Sequence, residues 1–144
     1  MNYQGIKEKL IRIADRFGYN NSQETDLLVR IYSKCDQQNV FEGLISLFKE
    51  EHLNSSVRQE LAGRLLFSIN PVAKFDLYFE IKECLPHFDL SVEHLPFYFV
   101  EQCGFQKVEK VLNCFSINSL SEREKESLLT MQFWLSNYEK WKEQ

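Results

Sequence analysis

Apolar residues return every three to four positions along almost the whole chain, and this periodicity is the strongest restriction on the fold. Ile6, Leu10 and Ala14 belong to the first stripe, and comparable stripes follow as far as Leu135 and Tyr138. Such spacing places apolar side chains on one face of an α-helix. No segment keeps the strict alternation of a half-buried strand, and five glycines and three prolines supply little material for the tight turns of an all-β fold. The sequence therefore predicts an all-α protein of about eight helices.

Residues that favour helix ends separate some of the stripes. Gly18 and Gly104 each follow an apolar stripe and can adopt the positive φ that often ends a helix. Ser121 and Glu124 have the spacing of a capping box, in which each side chain bonds the backbone of the other residue. The last helix is therefore expected to begin after Ser121 and to continue to about Trp141.

Three more helix starts are expected from residues that favour capping. Asn39 is expected to cap the third helix and Ser56 the fourth. Asn70 and Pro71 are expected to begin the fifth, because proline is tolerated at the first helical position. That helix should end at about Leu85, since the residue before a proline avoids the α conformation.

The expected helices group into pairs of similar length. The pairs span residues 3–36, 39–69, 71–103 and 105–142, which is a period of about 30–38 residues. This period favours stacked αα-hairpins, as in HEAT-like proteins. One pair does not resemble the next residue by residue, so a compact helical bundle is the alternative. No linker or low-complexity stretch divides the chain, and one domain over residues 1–144 is expected.

The net charge of the chain is confined to its middle. Residues 70–104 carry two lysines and six acidic residues, whereas residues 1–69 and 105–144 are each neutral, and the whole chain has a net charge of −4. A general affinity for nucleic acid needs clustered lysine and arginine, so this balance argues against it. The same middle segment carries all three prolines and seven aromatic residues. An acidic and aromatic binding surface for a basic protein is therefore expected here.

Within this segment the fifth helix carries its acids at helical spacing. Asp76, Glu80 and Glu83 lie at i, i+4 and i+7, and the rest of the helix is apolar nearly all round. This pattern indicates a helix packed on both sides with one narrow face in water.

After Pro96, aromatic residues occupy three successive positions. Core packing is the default for these rings, but Tyr98 is the one expected to reach the surface, where tyrosine is a frequent hot-spot residue.

The sequence contains few of the motifs that indicate a catalytic, metal or cofactor site. The cysteines Cys35, Cys84, Cys103 and Cys114 contain no C-x-x-C pair, so buried reduced thiols are expected rather than a zinc site or disulfides. Glu93 and His94 could in principle supply a general base, as could His87 nearby. No nucleophile with a recognisable motif and no glycine-rich phosphate loop accompanies them. The protein is expected to be non-enzymatic, without cofactor or metal.

The stripe of Trp134, Tyr138 and Trp141 admits two interpretations. It could dock a partner helix, but it more readily seals the core as the last helix packs down.

The N-terminal residues mix charges with apolar side chains and predict no secretory signal. The longest uninterrupted apolar run, Leu95 to Val100, is far too short to span a membrane. Reduced cysteines and the missing signal lead us to expect a cytoplasmic protein.

The middle of the chain also resembles a known class of proteins. The residues that carry the resemblance are Arg64-Leu65-Leu66, Asn70-Pro71 and Ser91-Val92-Glu93-His94-Leu95-Pro96-Phe97-Tyr98. This pattern is similar to that of small all-helical bacterial immunity proteins from contact-dependent or polymorphic toxin systems, over about residues 60–104. The resemblance implies a cytosolic protein that binds a toxin domain, often a basic nuclease, and blocks its active site. It carries over no individual contact residue.

Together these observations predict a protein-binding inhibitor whose acidic surface occupies the cationic cleft of a toxin. The expected contact residues share negative charge or aromatic character: Asp76, Glu80, Glu83, Asp89, Glu93, Tyr98 and Glu101. The alternative is a helical scaffold or adaptor that binds a partner through a groove or through its C-terminal aromatic helix. Neither hypothesis predicts an oligomeric state.

Overall fold

Nine α-helices and two 3₁₀ turns make up the regular structure of residues 1–143, the part of the chain that this computed structural model describes. The helices are α1 (Tyr3–Phe17), α2 (Ser22–Tyr32), α3 (Gln37–Ile45), α4 (Ser55–Ile69), α5 (Leu77–Cys84), α6 (His94–Cys103), α7 (Phe105–Asn113), α8 (Glu122–Ser136) and α9 (Tyr138–Lys142). The 3₁₀ turns are Ser46–Phe48 and Ile117–Ser119. Residues 1–143 contain no strand, so the prediction of an all-α fold with about eight helices is confirmed.

Several predicted helix ends are confirmed by the backbone. Gly18 ends α1 with φ +78°, and Gly104 ends α6 with φ +91°. Both angles lie in the region that residues with a Cβ rarely adopt. The capping box before α8 is present, because the Ser121 side chain accepts from the Glu124 amide and the Glu124 side chain accepts from the Ser121 amide. Local sequence was sufficient at these positions because each cap depends on residues only a few positions apart.

Two predicted caps lie inside their helices instead. The side chain of Asp36 accepts from the Asn39 amide, so α3 begins at Gln37 and Asn39 is not its cap. The α4 helix begins at Ser55, before the predicted cap Ser56, and no side-chain cap bond accompanies it. An aspartate three residues earlier competes with Asn39 for the same role, and aspartate and asparagine are about equally good caps.

The predicted start of the fifth helix is wrong, because the chain around Pro71 is extended. Asn70 has φ +52° and ends α4 in the left-handed conformation that asparagine tolerates. The helix α5 begins only at Leu77, where the Asp76 side chain accepts from the Phe79 amide. Between them the chain crosses α3, and the Gln38 side chain both accepts from the Lys74 amide (2.8 Å) and donates to its carbonyl (3.0 Å).

The last predicted helix is divided in two. Helix α8 ends at Ser136, and α9 begins at Tyr138 after Asn137. The Asn137 side chain donates to the Phe133 carbonyl at 2.9 Å, so it satisfies a carbonyl at the end of α8.

The sixth helix begins at His94, two residues before Pro96, so this proline lies in its first turn, where a missing N–H costs no helical hydrogen bond.

Helices α4 and α6 occupy the centre of the fold and pack on each other. Helix α4 also contacts α1, α2 and α3, whereas α6 contacts α7 and α8. Helices α3 and α4 pack together, as do α7 and α8, which agrees with two of the predicted hairpins. Helix α5 packs chiefly on α7 rather than on α6, and α1 packs on both α3 and α4. HEAT-like stacking, as opposed to a compact bundle, stays a prediction.

One hydrophobic core connects these helices. It includes residues from α1 through α9, and its largest fully buried rings come from Tyr32, Phe41, Phe48, Phe88, Phe97, Tyr98 and Phe99. The Tyr32 hydroxyl is buried as well and donates to the Ile6 carbonyl at 2.8 Å, which joins α2 to α1. Among residues 1–143 all four cysteines are free thiols. Cys84 is buried as expected and Cys35 and Cys103 are partly buried, whereas Cys114 is exposed, so the expectation of a buried thiol is wrong there. The described part of the chain contains no helix that is both long and apolar enough for a bilayer crossing.

Candidate protein-binding surface

The outer side of α5 exposes aromatic rings. Tyr78 is 44% exposed and Phe79 is 51% exposed, and Val72 on the preceding extended segment also points to solvent. The prediction that α5 is packed on both sides is therefore wrong. The helix is only eight residues long and packs chiefly on α7, so one side of it has no neighbour.

Acidic side chains flank these rings. Asp76 and Glu83 are exposed at the two ends of α5. The Tyr78 ring stacks on Phe115 with ring centroids 4.7 Å apart and planes 12° apart, so it is held in place although it is exposed. We refer to Val72, Asp76, Tyr78, Phe79 and Glu83 as the α5 surface.

Glu80 does not lie in water with Asp76 and Glu83, which corrects the predicted solvent-exposed stripe. Its side chain is only 9% exposed, and its Oε1 atom lies 2.6 Å from Nζ of Lys49. That ammonium group is also 5.5 Å from the centre of the Phe79 ring. Lys49 therefore bridges a buried carboxylate and an exposed aromatic ring.

A groove of about 300 Å³ opens beside this ion pair. It runs between α3 and the extended segment before α5, and Glu80 and Lys49 border it together with Gln38, Phe41, Glu42, Ile45, Ser46, Lys74 and Phe75. The rings of Phe41 and Phe75 are stacked, with centroids 4.6 Å apart. The groove thus combines an aromatic wall with two carboxylates and two ammonium groups.

Tyr98 lies in the core, so its predicted place on the binding surface is wrong. The residue is fully buried, and its hydroxyl donates to the Pro71 carbonyl at 2.8 Å. Burial raises the pKa of this hydroxyl because the phenolate would be poorly solvated. Tyr98 fastens the extended segment before α5 to α6. Core packing was the default interpretation for this ring.

Asp89 and Glu93 belong to a second acidic group beside α4. Burial opposes ionisation of Asp89, but the bonds that it accepts from the amide and hydroxyl of Ser91 (3.0 and 2.8 Å) outweigh this and lower its pKa. Burial, followed by the charge of Glu93, raises the pKa of Glu60. Glu101, by contrast, is exposed on α6, and its charge acts on Lys142 of α9. The seven predicted residues thus have five different environments.

His94, considered as a general base, is enclosed by aromatic rings. Its ring centroid is 5.8 Å from that of Phe67 and 5.8 Å from that of Trp141, and both contacts are edge-on. Burial lowers its pKa, although the Glu93 carboxylate 3.9 Å from Nδ1 acts in the opposite direction. No group of three or more histidine, cysteine, aspartate or glutamate residues in the described chain is arranged to hold a metal ion.

The C-terminal tryptophans lie against the core. Trp134 donates from Nε1 to the Leu90 carbonyl at 2.9 Å, and the ring of Trp141 lies 4.5 Å from that of Phe97. On the other side of α8, Leu129 is 59% exposed and Phe133 is 57% exposed. Sequence reasoning missed this pair. Its signal is the i, i+4 spacing of two apolar residues outside the buried stripe of α8.

Comparison with known proteins found no matching family model, no matching curated protein and no matching solved structure. What this protein binds must therefore be inferred from its own surface. Of the surfaces described above, the one around α5 combines exposed rings, exposed carboxylates and an adjoining groove.

Proposed function

We propose that the protein is a non-enzymatic inhibitor that binds a basic protein through its α5 surface. The observation that carries this proposal is the exposure of Tyr78 and Phe79 between the carboxylates of Asp76 and Glu83. Aromatic residues with few rotatable bonds supply large contact areas at protein interfaces, and tyrosine is prominent among hot-spot residues. The two exposed carboxylates beside them favour encounter with a partner of opposite charge.

The charge distribution supports a basic partner. The net charge of −4 comes from residues 70–104, which include the α5 surface. Asp89, Glu93 and Glu101 lie in the same sequence segment and extend the field beyond α5. Such a field increases the rate of association more than it increases affinity, and salt screens it.

Within this proposal the partner is a toxin domain. The resemblance of residues 60–104 to bacterial immunity proteins supports that identity, and a basic nuclease fits the charge of the α5 surface. The inhibitor would cover the cationic cleft in which the toxin binds its substrate. The proposal includes a cytoplasmic location, where the four free thiols would stay reduced.

Partner capture tests this proposal. The full chain is used as bait in lysate of the native cell, at low salt and at about 0.5 M salt, where exposed ion pairs are strongly screened. We expect a basic protein to be captured in stoichiometric amount and released by salt. The double variant Tyr78→Ala/Phe79→Ala should lose at least about 2 kcal/mol of binding, a 30-fold weakening, because hot-spot rings are removed.

Two further variants make the test specific. Glu83→Lys reverses an exposed charge and should slow association about tenfold at low salt but little at high salt. Leu129→Ala/Phe133→Ala removes an equally exposed apolar pair from α8 and should leave capture unchanged. The captured protein must also lose its toxic or enzymatic activity when the wild-type chain is added. Unchanged affinity in the Tyr78/Phe79 double variant would exclude the α5 surface.

The second candidate function is a helical scaffold or adaptor. The observation that favours it is the exposed pair Leu129 and Phe133 on α8, since Trp134 and Trp141 pack on the core instead. For a scaffold that uses this surface, Leu129→Ala/Phe133→Ala should abolish capture of a partner. The α5 variants should then have no effect, and salt should release little protein.

A further inference from the structure

The groove beside α5 holds a carboxylate that lacks a well-directed hydrogen-bond donor. In residues 1–143 four buried side-chain atoms have no hydrogen bond, and Glu80 Oε1 is the carboxylate oxygen among them. The ammonium group of Lys49 forms an ion pair with this oxygen at 2.6 Å, and no hydrogen bond from another described residue accompanies it. One mobile ammonium group is thus the only cationic partner of this nearly buried carboxylate among the described residues. Buried charged groups of this kind gain strongly from directed donors.

The surroundings of this carboxylate fit a planar cation. Phe75 borders the groove beside Glu80, and its ring is only partly covered. A guanidinium group presents five N–H donors in one plane and stacks readily on aromatic rings. Glu42 at the exposed side of the groove adds a second carboxylate within the same lining.

Lys49 already shows that this place accepts a cation. Its ammonium group lies between the Glu80 carboxylate and the Phe79 ring, at 2.6 Å from the oxygen and 5.5 Å from the ring centre. The lysine stem is flexible and partly exposed, so this group can move into solvent. Glu80 cannot move in the same way, because it lies on α5 and is nearly buried. The fixed charge of the groove is therefore negative, and its cations are the mobile part.

We propose that the groove between α3 and the extended segment before α5 takes an arginine side chain of the protein partner, which pairs with Glu80 and displaces Lys49. This inference rests on the proposed function for the source of the arginine. It adds the chemistry of one contact to the α5 surface: a guanidinium enters the groove while Tyr78 and Phe79 cover the surface beside it. An anion in the same place would lie against the fixed Glu80 carboxylate.

The proposal is tested without the natural partner by a titration of the full chain with N-acetyl-arginine amide, followed by NMR. We expect weak, saturable binding, with shifts for Phe41, Lys49, Phe75 and Glu80. N-acetyl-citrulline amide has nearly the same shape without the charge and should cause no saturable shift. N-acetyl-aspartate amide tests the opposite charge and should not bind at Lys49 or Lys74.

Two groove variants should change the affinity in opposite directions. Glu80→Gln should weaken binding of the arginine probe by about tenfold or more, since a charge-assisted pair is lost. Lys49→Gln removes the competing ammonium group and should strengthen binding about two- to fivefold. Glu109→Gln, an exposed acid on α7, is the matched control and should leave the affinity unchanged. If Glu80→Gln fails to fold, Lys49→Gln still decides the question because it keeps the carboxylate.

Equal binding of the arginine and citrulline probes would overturn the proposal, as would no binding of either. Weaker binding to Lys49→Gln, or saturable binding of the aspartate probe at Lys49, would also overturn it. A failed titration together with loss of partner capture in Tyr78→Ala/Phe79→Ala would exclude the groove and leave the α5 surface supported. If the arginine probe binds the groove but the α5 surface captures no partner, the groove would be supported and the α5 surface would be excluded.

Discussion

Helices α5 and α6 are neighbours in the sequence and both are rich in aromatic residues, yet their rings have opposite environments. On α6 the successive residues Phe97, Tyr98 and Phe99 are all fully buried. On α5, Tyr78 and Phe79 are about half exposed, whereas the acidic residue Glu80 is buried together with Leu77, Ile81 and Cys84. Composition alone does not separate the two helices.

The difference follows from the number of neighbours. Helix α6 packs against α4, α7 and α8, and among its residues only Glu101 is exposed. Helix α5 has its main contact with α7 and is preceded by an extended segment that crosses α3. A ring that is forced to remain in water after folding costs the protein part of its hydrophobic stabilisation. Such rings are therefore informative about binding in a way that the rings of α6 are not.

The largest expected effect is the difference in unfolding free energy between a ring deletion on α6 and one on α5. Phe97→Ala should lower the free energy of unfolding by about 3–5 kcal/mol, because it leaves a cavity against Tyr138 and Trp141. Phe79→Ala should change it by about 0.5 kcal/mol or less, since much of this ring is already in water. Urea unfolding monitored by circular dichroism measures both values. Similar losses for the two variants would show that α5 is buried in solution.

The second prediction concerns the segments that lead into the two helices, because each is held by a glutamine. Gln59 is buried; it donates to the His87 carbonyl (2.8 Å) and accepts from the Asp89 amide (2.7 Å). Gln38 makes the equivalent pair of bonds to Lys74 at a more exposed place. Gln59→Ala should destabilise the protein by about 2–3 kcal/mol, since two backbone groups lose their partner away from water.

Gln38→Ala is the matched control for that measurement. Water can replace its bonds to Lys74, so we expect a loss of about 1 kcal/mol or less. Hydrogen exchange should show faster opening of residues 87–92 in Gln59→Ala and of residues 72–76 in Gln38→Ala. An equal loss of stability in the two variants would contradict the difference in burial between the two segments.

The smallest expected effect is a pH dependence of the free energy of unfolding, caused by His94, the first residue of α6. Burial lowers the pKa of His94, so the unfolded chain binds a proton there at a higher pH than the folded protein does. The charge of Glu93 opposes this shift, and the charge of Arg64 on α4 adds to it. As the pH falls below about 6.5, His94 should therefore reduce stability, with a slope of at most about 1.4 kcal/mol per pH unit.

Other groups limit the pH window in which this slope can be read. His52 acts in the same direction, because burial lowers its pKa as well. The raised pKa of Glu60 acts in the opposite direction, since the folded protein takes up that proton first as the pH falls. Asp15 and Asp89, whose pKa values are lowered, contribute stability that is lost at still lower pH.

Urea unfolding of wild type and His94→Gln between pH 5 and pH 7.5 measures the effect. The variant should have a shallower slope, whereas Phe79→Ala should keep the wild-type slope because it changes only α5. An unchanged slope in His94→Gln would show that the enclosed environment of this ring does not control its protonation.

Much of the fold was predictable because it depends on local chemistry. The apolar period of Ile6, Leu10 and Ala14 is enough to predict α1, and the Ser121–Glu124 pair is enough to place the start of α8. The extended course of residues 71–76 was not predictable in the same way. Pro71 fits the first turn of a helix equally well, and the choice depends on Tyr98 and Gln38, which hold the segment from elsewhere in the chain.

The candidate site was predicted only in part. Asp76 and Glu83 are exposed as expected. Glu80 was expected to face solvent and Phe79 to be packed, but Glu80 is nearly buried and Phe79 is exposed. This could not be predicted, because helical spacing gives the angular order of residues around the axis but not which side of the helix has a neighbour. The aromatic density of α5 favoured a buried helix, whereas the contact with Lys49 allows Glu80 to face inward.

The sequence by itself determined that the chain is helical, where several helices end, and that its negative charge lies in residues 70–104. These properties arise from backbone preferences, nearby side chains and simple composition, none of which needs a partner from a distant part of the chain. Only the tertiary structure decided that Tyr98 is buried, that Tyr78 and Phe79 face solvent, and that a groove opens beside Glu80. Exposure depends on which elements meet in space, and distant contacts such as Lys49 with Glu80 are made only when the helices pack.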